Sequence, residues 1–184
     1  FTFDNLALVA QAVANYVKKI DKKSPSVVIG YDTRFMSRDF AEEAARIIAS
    51  KGIVVNITDG LSSTPLVSYH TKYKSATIGV VITASHNPPK YNGFKLKGKY
   101  GGPATPEIVA AVEAELRKIE AKPTTLKLRS MEDYVKARLI RPFESKESYN
   151  KYLRKKIDFD AINKAGFKIL FDPMHGAGLG IEQL

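Results

Sequence analysis

The chain has 184 residues, of which 44% are hydrophobic and 26% charged, the balance of a soluble globular protein rather than a disordered one. It contains no cysteine, which excludes disulfides, thiolate catalysis and Cys-ligated zinc and agrees with a cytoplasmic setting. No run approaches the roughly 18 apolar residues of a membrane span, and the first residues lack the basic start and apolar stretch of a signal peptide.

Leu6, Val9, Val13, Tyr16, Val17 and Ile20 recur at helical spacing and predict an amphipathic helix over residues 4–20. Ser26-Val27-Val28-Ile29 then reads as a short buried strand ending at Gly30. Ser37 is placed to cap a helix carrying Phe40, Ala44, Ile47 and Ile48 on one face and stopping near Gly52. Residues 53–58 form the next strand. Thr64-Pro65 reads as a cap followed by proline at the first helical position. Residues 76–83 are nearly all apolar and predict a third strand. Residues 92–97 predict a fourth, more exposed one, and Thr105-Pro106 opens a helix reaching about Ala121.

The order β-α-β-α-β, with strands apolar on both faces, implies a three-layer α/β/α domain around a largely parallel, mixed sheet. Residues 123–142 read as an irregular or short-element connection. We expect this first domain to cover residues 1–142 and a second, similar α/β unit to start at 143. There, Tyr149, Tyr152, Leu153, Ile157, Phe159 and Ile162 line a helix broken around Asp158. A strand is expected over residues 168–172, followed by the Gly-rich turn of residues 173–178. A strand and part of a helix cannot bury a core alone, so the second unit is expected to be truncated.

In open α/β sheets, functional loops gather beyond the carboxyl ends of the strands. Two segments fall there: Gly30-Tyr31-Asp32-Thr33-Arg34, and Thr83-Ala84-Ser85-His86-Asn87-Pro88-Pro89-Lys90-Tyr91-Asn92-Gly93-Phe94-Lys95. In the second, a buried strand delivers a serine into a loop stiffened by two prolines. His86 and Asn87 set polar groups beside the hydroxyl. Lys90, Lys95, Lys97 and Lys99 provide a positive field suited to phosphate. Phosphoryl transfer needs alignment and charge neutralisation more than covalent machinery.

These thirteen residues resemble the phosphoserine loop of the α-D-phosphohexomutases, the superfamily of phosphoglucomutase, phosphomannomutase and phosphoglucosamine mutase. Residues 30–34, Ser63-Thr64-Pro65 and Asp172-Pro173-Met174-His175-Gly176-Ala177-Gly178 support the resemblance in the expected order. It implies that phosphorylated Ser85 exchanges a phosphoryl group with a hexose 1- or 6-phosphate through a hexose 1,6-bisphosphate intermediate. It implies Mg2+, with Ser85 as a ligand through its phosphate. It implies acid/base or electrostatic work for Lys95, and loop-shaping or phosphate-binding roles for His86, Asn87, Arg34 and Asp32. The expected partner is a small sugar phosphate, not nucleic acid or membrane, and the sequence says nothing of oligomeric state. Family members are much longer. Their Asp-Gly-Asp-x-Asp-Arg metal loop does not occur in this sequence, so the chain alone is expected to be inactive.

Other readings of the same residues carry less. A Ser-His hydrolase wants an acid and an oxyanion hole, and no Gly-x-Ser-x-Gly elbow is present. A non-catalytic module using the loop only to hold an anion is the alternative. The net charge of +10, from 29 basic and 19 acidic side chains, forms no block of like charge, so a nucleic-acid role rests on charge alone. His175, Tyr149 and Tyr152 read as structural, and the basic stretch 151–156 as a solvated face.

Overall fold

The computed structural model describes residues 1–123 and 125–178. The first helix, α1 (Phe3–Ile20), starts at Thr2, whose hydroxyl accepts the Asn5 N–H, and buries Leu6, Val13 and Val17. Strand β1 (Ser26–Tyr31) follows, then α2 (Ser37–Ser50), β2 (Val54–Thr58), α3 (Thr64–Tyr73) and β3 (Ile78–Ile82). Strand β4 (Phe94–Gly98) turns back along β3, and α4 (Pro106–Ala121) packs on α1. The remainder is α5 (Met131–Lys136), β5 (Ile140–Phe143), α6 (Lys146–Arg154) and α7 (Phe159–Lys164).

The five strands form one sheet in the order β4-β3-β1-β2-β5. All neighbours are parallel except β3 and β4. The chain steps from β1 to β2 on one side, then returns past β1 to β3. Right-handed crossovers therefore put α2 and α3 on opposite faces. The packing agrees: α1, α2 and α4 cover Val27, Ile29, Ile78, Val80 and Ile82, whereas Val67 of α3 meets Val28 and Val81. Strands covered on both faces must be apolar at every position, which is why β1 and β3 read as continuous runs. Each fully buried Val or Ile contributes about 1.5–3 kcal/mol relative to exposure.

Several local expectations shift. Met36, at φ 58°, occupies the cap position before α2, and Ser37 is already helical. The Ser37 hydroxyl instead donates to Asp32 at 2.8 Å. The cap of α3 is Ser63, one residue earlier than Thr64, and its hydroxyl accepts the Leu66 N–H. Within the expected connection, residues 140–143 pair parallel with β2. That strand is four residues long and contains Pro142, which is compatible only with the edge position it holds. Asp158 breaks the later helix and caps α7 by accepting the Ala161 N–H.

Residues 168–172 are not a strand. A strand must pair its backbone groups, and no described strand lies beside these residues; Leu170 is 97% exposed.

Candidate active site

Register decides what meets at the sheet edge. Tyr31 pairs with Ile82, so the loops leaving β1 and β3 emerge side by side. The Asp32 N–H continues the ladder to the Ile82 carbonyl at 3.2 Å. Strand β4 then returns antiparallel, setting Lys95 opposite Val81.

The neck of the second loop is closed by the Thr83 N–H donating to the Gly93 carbonyl at 3.0 Å. Gly93 fits because a Cβ there would stand 3.0 Å from the Thr83 carbonyl oxygen. Inside the loop, the Ala84 carbonyl accepts both the Asn87 N–H at 3.1 Å and its side-chain amide at 2.8 Å. The Thr83 hydroxyl accepts the Ser85 N–H at 3.0 Å. Ser85 is thereby held at φ 57°, a left-handed conformation that a serine adopts only under constraint, at a cost of about 1–3 kcal/mol.

The constraint comes largely from Arg34. Its guanidinium donates to the carbonyls of Pro88 and Tyr91, each at 3.0 Å, of Ser85 at 2.8 Å and of Asn87 at 2.7 Å. The fifth donor, Nε, faces Asp32 at 3.3 Å. The side chain is 12% exposed, so all five donors of the fork are engaged and none is left for a ligand. Asp32 in turn accepts the Arg34 N–H at 3.0 Å and the Ser37 hydroxyl. Asn92 donates to the Ser37 hydroxyl at 2.9 Å and accepts the Gly93 N–H at 2.8 Å. Asp32 and Arg34 thus brace the loop from behind.

On the outer side, Ser85, His86, Asn87 and Lys95 are exposed and line one open cleft formed by residues 83–87 and 91–95. Ser85 Oγ lies 3.3 Å from His86 Nδ1. Among the described residues no acid holds the other ring nitrogen of His86, so the pair lacks the third member of a hydrolytic triad. The structure brings Ser85, His86, Asn87 and Lys95 together at the surface, with Asp32 and Arg34 beneath them.

Ser37, Thr83 and Asn92 complete the scaffold and were assigned no such part from the sequence. The Asn92-Gly93 dipeptide is a turn signal that marks the loop's return. Nothing local points to Ser37 except its position at a helix start.

Metal ligation is a separate matter. Among the described residues no group of three or more His, Asp or Glu is placed to hold a metal ion. Asp32, the acid braced beneath the loop, is occupied by Arg34 and Ser37. The described residues therefore do not by themselves make a magnesium site.

Comparison with known proteins gives a consistent picture. The family profile "Phosphoglucomutase/phosphomannomutase, alpha/beta/alpha domain I" matches residues 1–123. A phosphoglucomutase of Komagataeibacter xylinus is 33% identical over 192 residues, covering 100% of this chain and 34% of the relative. A phosphoglucomutase of Staphylococcus saprophyticus is 32% identical over 173 residues, covering 93% of this chain and 31% of the relative. Among solved structures, a Thermus thermophilus protein assigned as a phosphomannomutase superposes with a TM-score of 0.72 at 30% identity, over 88% of this chain and 34% of that one. The open form of Paramecium pp63/parafusin shares the fold, with a TM-score of 0.76 at 21% identity, over 94% of this chain and 36% of that one. The chain spans about a third of the length of the curated relatives it matches.

Proposed function

The chain belongs to the phosphoglucomutase/phosphomannomutase family, its residues 1–123 matching domain I, and from that premise we propose that Ser85 carries the phosphoryl group of a hexose-phosphate mutase. The supporting observation is the Arg34 clamp: four inward hydrogen bonds hold the loop so that Ser85 stands at its exposed tip beside Lys95.

In the reaction we infer for the full-length protein, a sugar hydroxyl attacks the phosphorus on Ser85. The new P–O bond forms as the bond to Ser85 Oγ breaks. The hydroxyl proton leaves the sugar oxygen, and Ser85 Oγ takes up a proton. The resulting hexose 1,6-bisphosphate turns round and returns its other phosphoryl group to Ser85. Lys95 stabilises charge at the reacting oxygens or carries the proton. His86 and Asn87 shape the loop around the hydroxyl. Mg2+, when bound, would neutralise phosphate charge. It would take one ligand from the phosphate on Ser85 and the others from outside the described residues.

Residues 1–142 would then form the phosphoserine domain and residues 143–184 the start of a second unit. The substrate is a small sugar phosphate rather than nucleic acid or membrane, and a cytoplasmic location follows from that substrate. No described helix is long and apolar enough to cross a membrane.

The test uses the full-length protein with glucose 1-phosphate and mannose 1-phosphate, and intact mass after incubation with hexose 1,6-bisphosphate. The expected result is turnover and gain of one phosphoryl group, both lost in Ser85→Ala. Full turnover by Ser85→Ala would sink the proposal. Phosphate binding without turnover or phosphoryl gain would favour the alternative, a non-catalytic phosphate-binding module.

A further inference from the structure

A second, larger cleft of about 1050 Å³ lies between α3, the end of β4 and α6. Its volume is at the upper end of small-molecule sites. Lys72, Lys97, Lys151 and Lys155 line it, and no acidic side chain does. Lys151 is tied to Glu147 at 2.6 Å. Lys97 is different: the residue is only 8% exposed, yet its ammonium makes no hydrogen bond or ion pair among the described residues. Burial, and then the Lys95 charge, push its ammonium pKa down. The stem is covered while the ammonium reaches solvent at the cleft, where an anion brought to it would complete its partners.

Five tyrosines, Tyr69, Tyr73, Tyr100, Tyr149 and Tyr152, form much of the remaining wall. Tyr69 stacks on Tyr73 with ring centres 5.2 Å apart and meets Tyr152 at 4.8 Å. Its hydroxyl donates to the Ser148 carbonyl at 3.2 Å, joining α3 to α6. Tyr100 is pinned by its hydroxyl to the Pro103 carbonyl, and its ring covers Gly102 so closely that a Cβ there would stand 2.6 Å away. Gly101 lies against α3, where a Cβ would meet the Ser68 carbonyl at 2.6 Å. Tyr73, Tyr100 and Tyr152 nevertheless remain 63%, 48% and 41% exposed. Preformed ring faces beside unpaired cations suit a ligand with a flat body and an anionic end.

We propose that this cleft binds a phosphate monoester carrying a ring, with the phosphate against Lys97 and Lys72 and the ring against the tyrosines. The site is separate from the Ser85 cleft and does not depend on its assignment. The two are linked by one strand: β4 presents Lys95 to the Ser85 cleft and, two residues on, Lys97 to this one.

The experiment is calorimetric titration of the full-length protein with adenosine monophosphate, glucose 6-phosphate and inorganic phosphate. Amide and tyrosine shifts in NMR locate the binding. At least one ring-bearing ester is expected to bind tenfold or more tighter than inorganic phosphate and to shift Tyr73 and Tyr152. Preference for the nucleotide assigns a planar base to the tyrosines, and preference for the hexose ester assigns a sugar face. Lys97→Met is expected to weaken binding at least tenfold. The surface pair Lys72→Glu/Lys155→Glu is expected to do the same, and it decides alone if Lys97→Met does not fold. Equal affinity for inorganic phosphate, binding that survives these changes, or shifts confined to residues 83–95 would overturn the proposal. None of those results bears on turnover by Ser85.

Discussion

Arg34→Lys keeps the charge and removes the fork. The guanidinium engages four carbonyls and Asp32, whereas a lysine ammonium has three donors on a single atom and cannot span carbonyls spread over residues 85–91. At least two of the four carbonyl bonds are lost. A hydrogen bond to a charged group is worth roughly 1.5–3 kcal/mol, but the freed carbonyls belong to exposed residues and regain water, so about 1 kcal/mol per bond is the better figure. The loop should therefore open about 2 kcal/mol more easily, while β1 and β3 stay folded. Hydrogen exchange reads this directly at the amides of Asn87 and Tyr91, which are held by Ala84 and Pro88. A 2 kcal/mol loss is roughly a thirtyfold faster exchange at those two sites. Amides in β1 and β3 should keep their rates. Unchanged exchange at Asn87 and Tyr91 would refute the idea that Arg34 braces the loop.

Two further predictions concern the α3 face. His70 is 1% exposed, donates from Nε2 to the Ser145 carbonyl at 2.7 Å, and has no partner for Nδ1 among the described residues. Burial chiefly holds its pKa below 6.5, opposed in part by the Ser145 bond, with the Lys74 charge adding to the lowering and Glu144 opposing it least. The unfolded chain thus binds the proton more readily. The stability contributed by neutral His70 is complete above about pH 6.5 and is lost as pH falls, by at most about 1.4 kcal/mol per pH unit. Urea midpoints should fall between pH 6.5 and 5, and His70→Gln should flatten that slope; an unchanged slope contradicts the assignment. Gly79→Ala puts a methyl group into the Thr71 hydroxyl and 3.0 Å from Lys97 Cβ. Overpacking should cost about 1–3 kcal/mol in urea denaturation, and a wild-type midpoint would show that α3 can move away freely.

The layer order was readable from the chain because β1 and β3 are covered on both faces and therefore carry Val and Ile without alternation. The loop around Ser85 was readable because its thirteen residues are contiguous. Arg34 was harder to assign. Its four carbonyl partners are more than fifty positions away, and they meet it only because Tyr31 pairs with Ile82, a register that no local pattern encodes. Strand β5 is not legible in the sequence because four residues including Arg141 and Pro142 carry almost no strand pattern; pairing with β2 makes the element. Residues 168–172 have the opposite character: the apolar pattern is strong, but a strand is completed by a neighbour, and none is present among the described residues.

The inward carbonyls also decide what the loop shows to solvent. In a trans peptide the C=O and the following N–H point in opposite directions. With the carbonyls of Ser85, Asn87, Pro88 and Tyr91 drawn to Arg34, the peptide dipoles have their positive ends outward. Two of the following residues, Pro88 and Pro89, have no hydrogen to offer. The outward donors are therefore the amides of His86 and Asn92, and neither has an acceptor among the described residues. The arginine beneath the loop thus acts by turning the backbone: it leaves two amide donors facing out beside Ser85, a polarity that would persist if every surface lysine were neutralised.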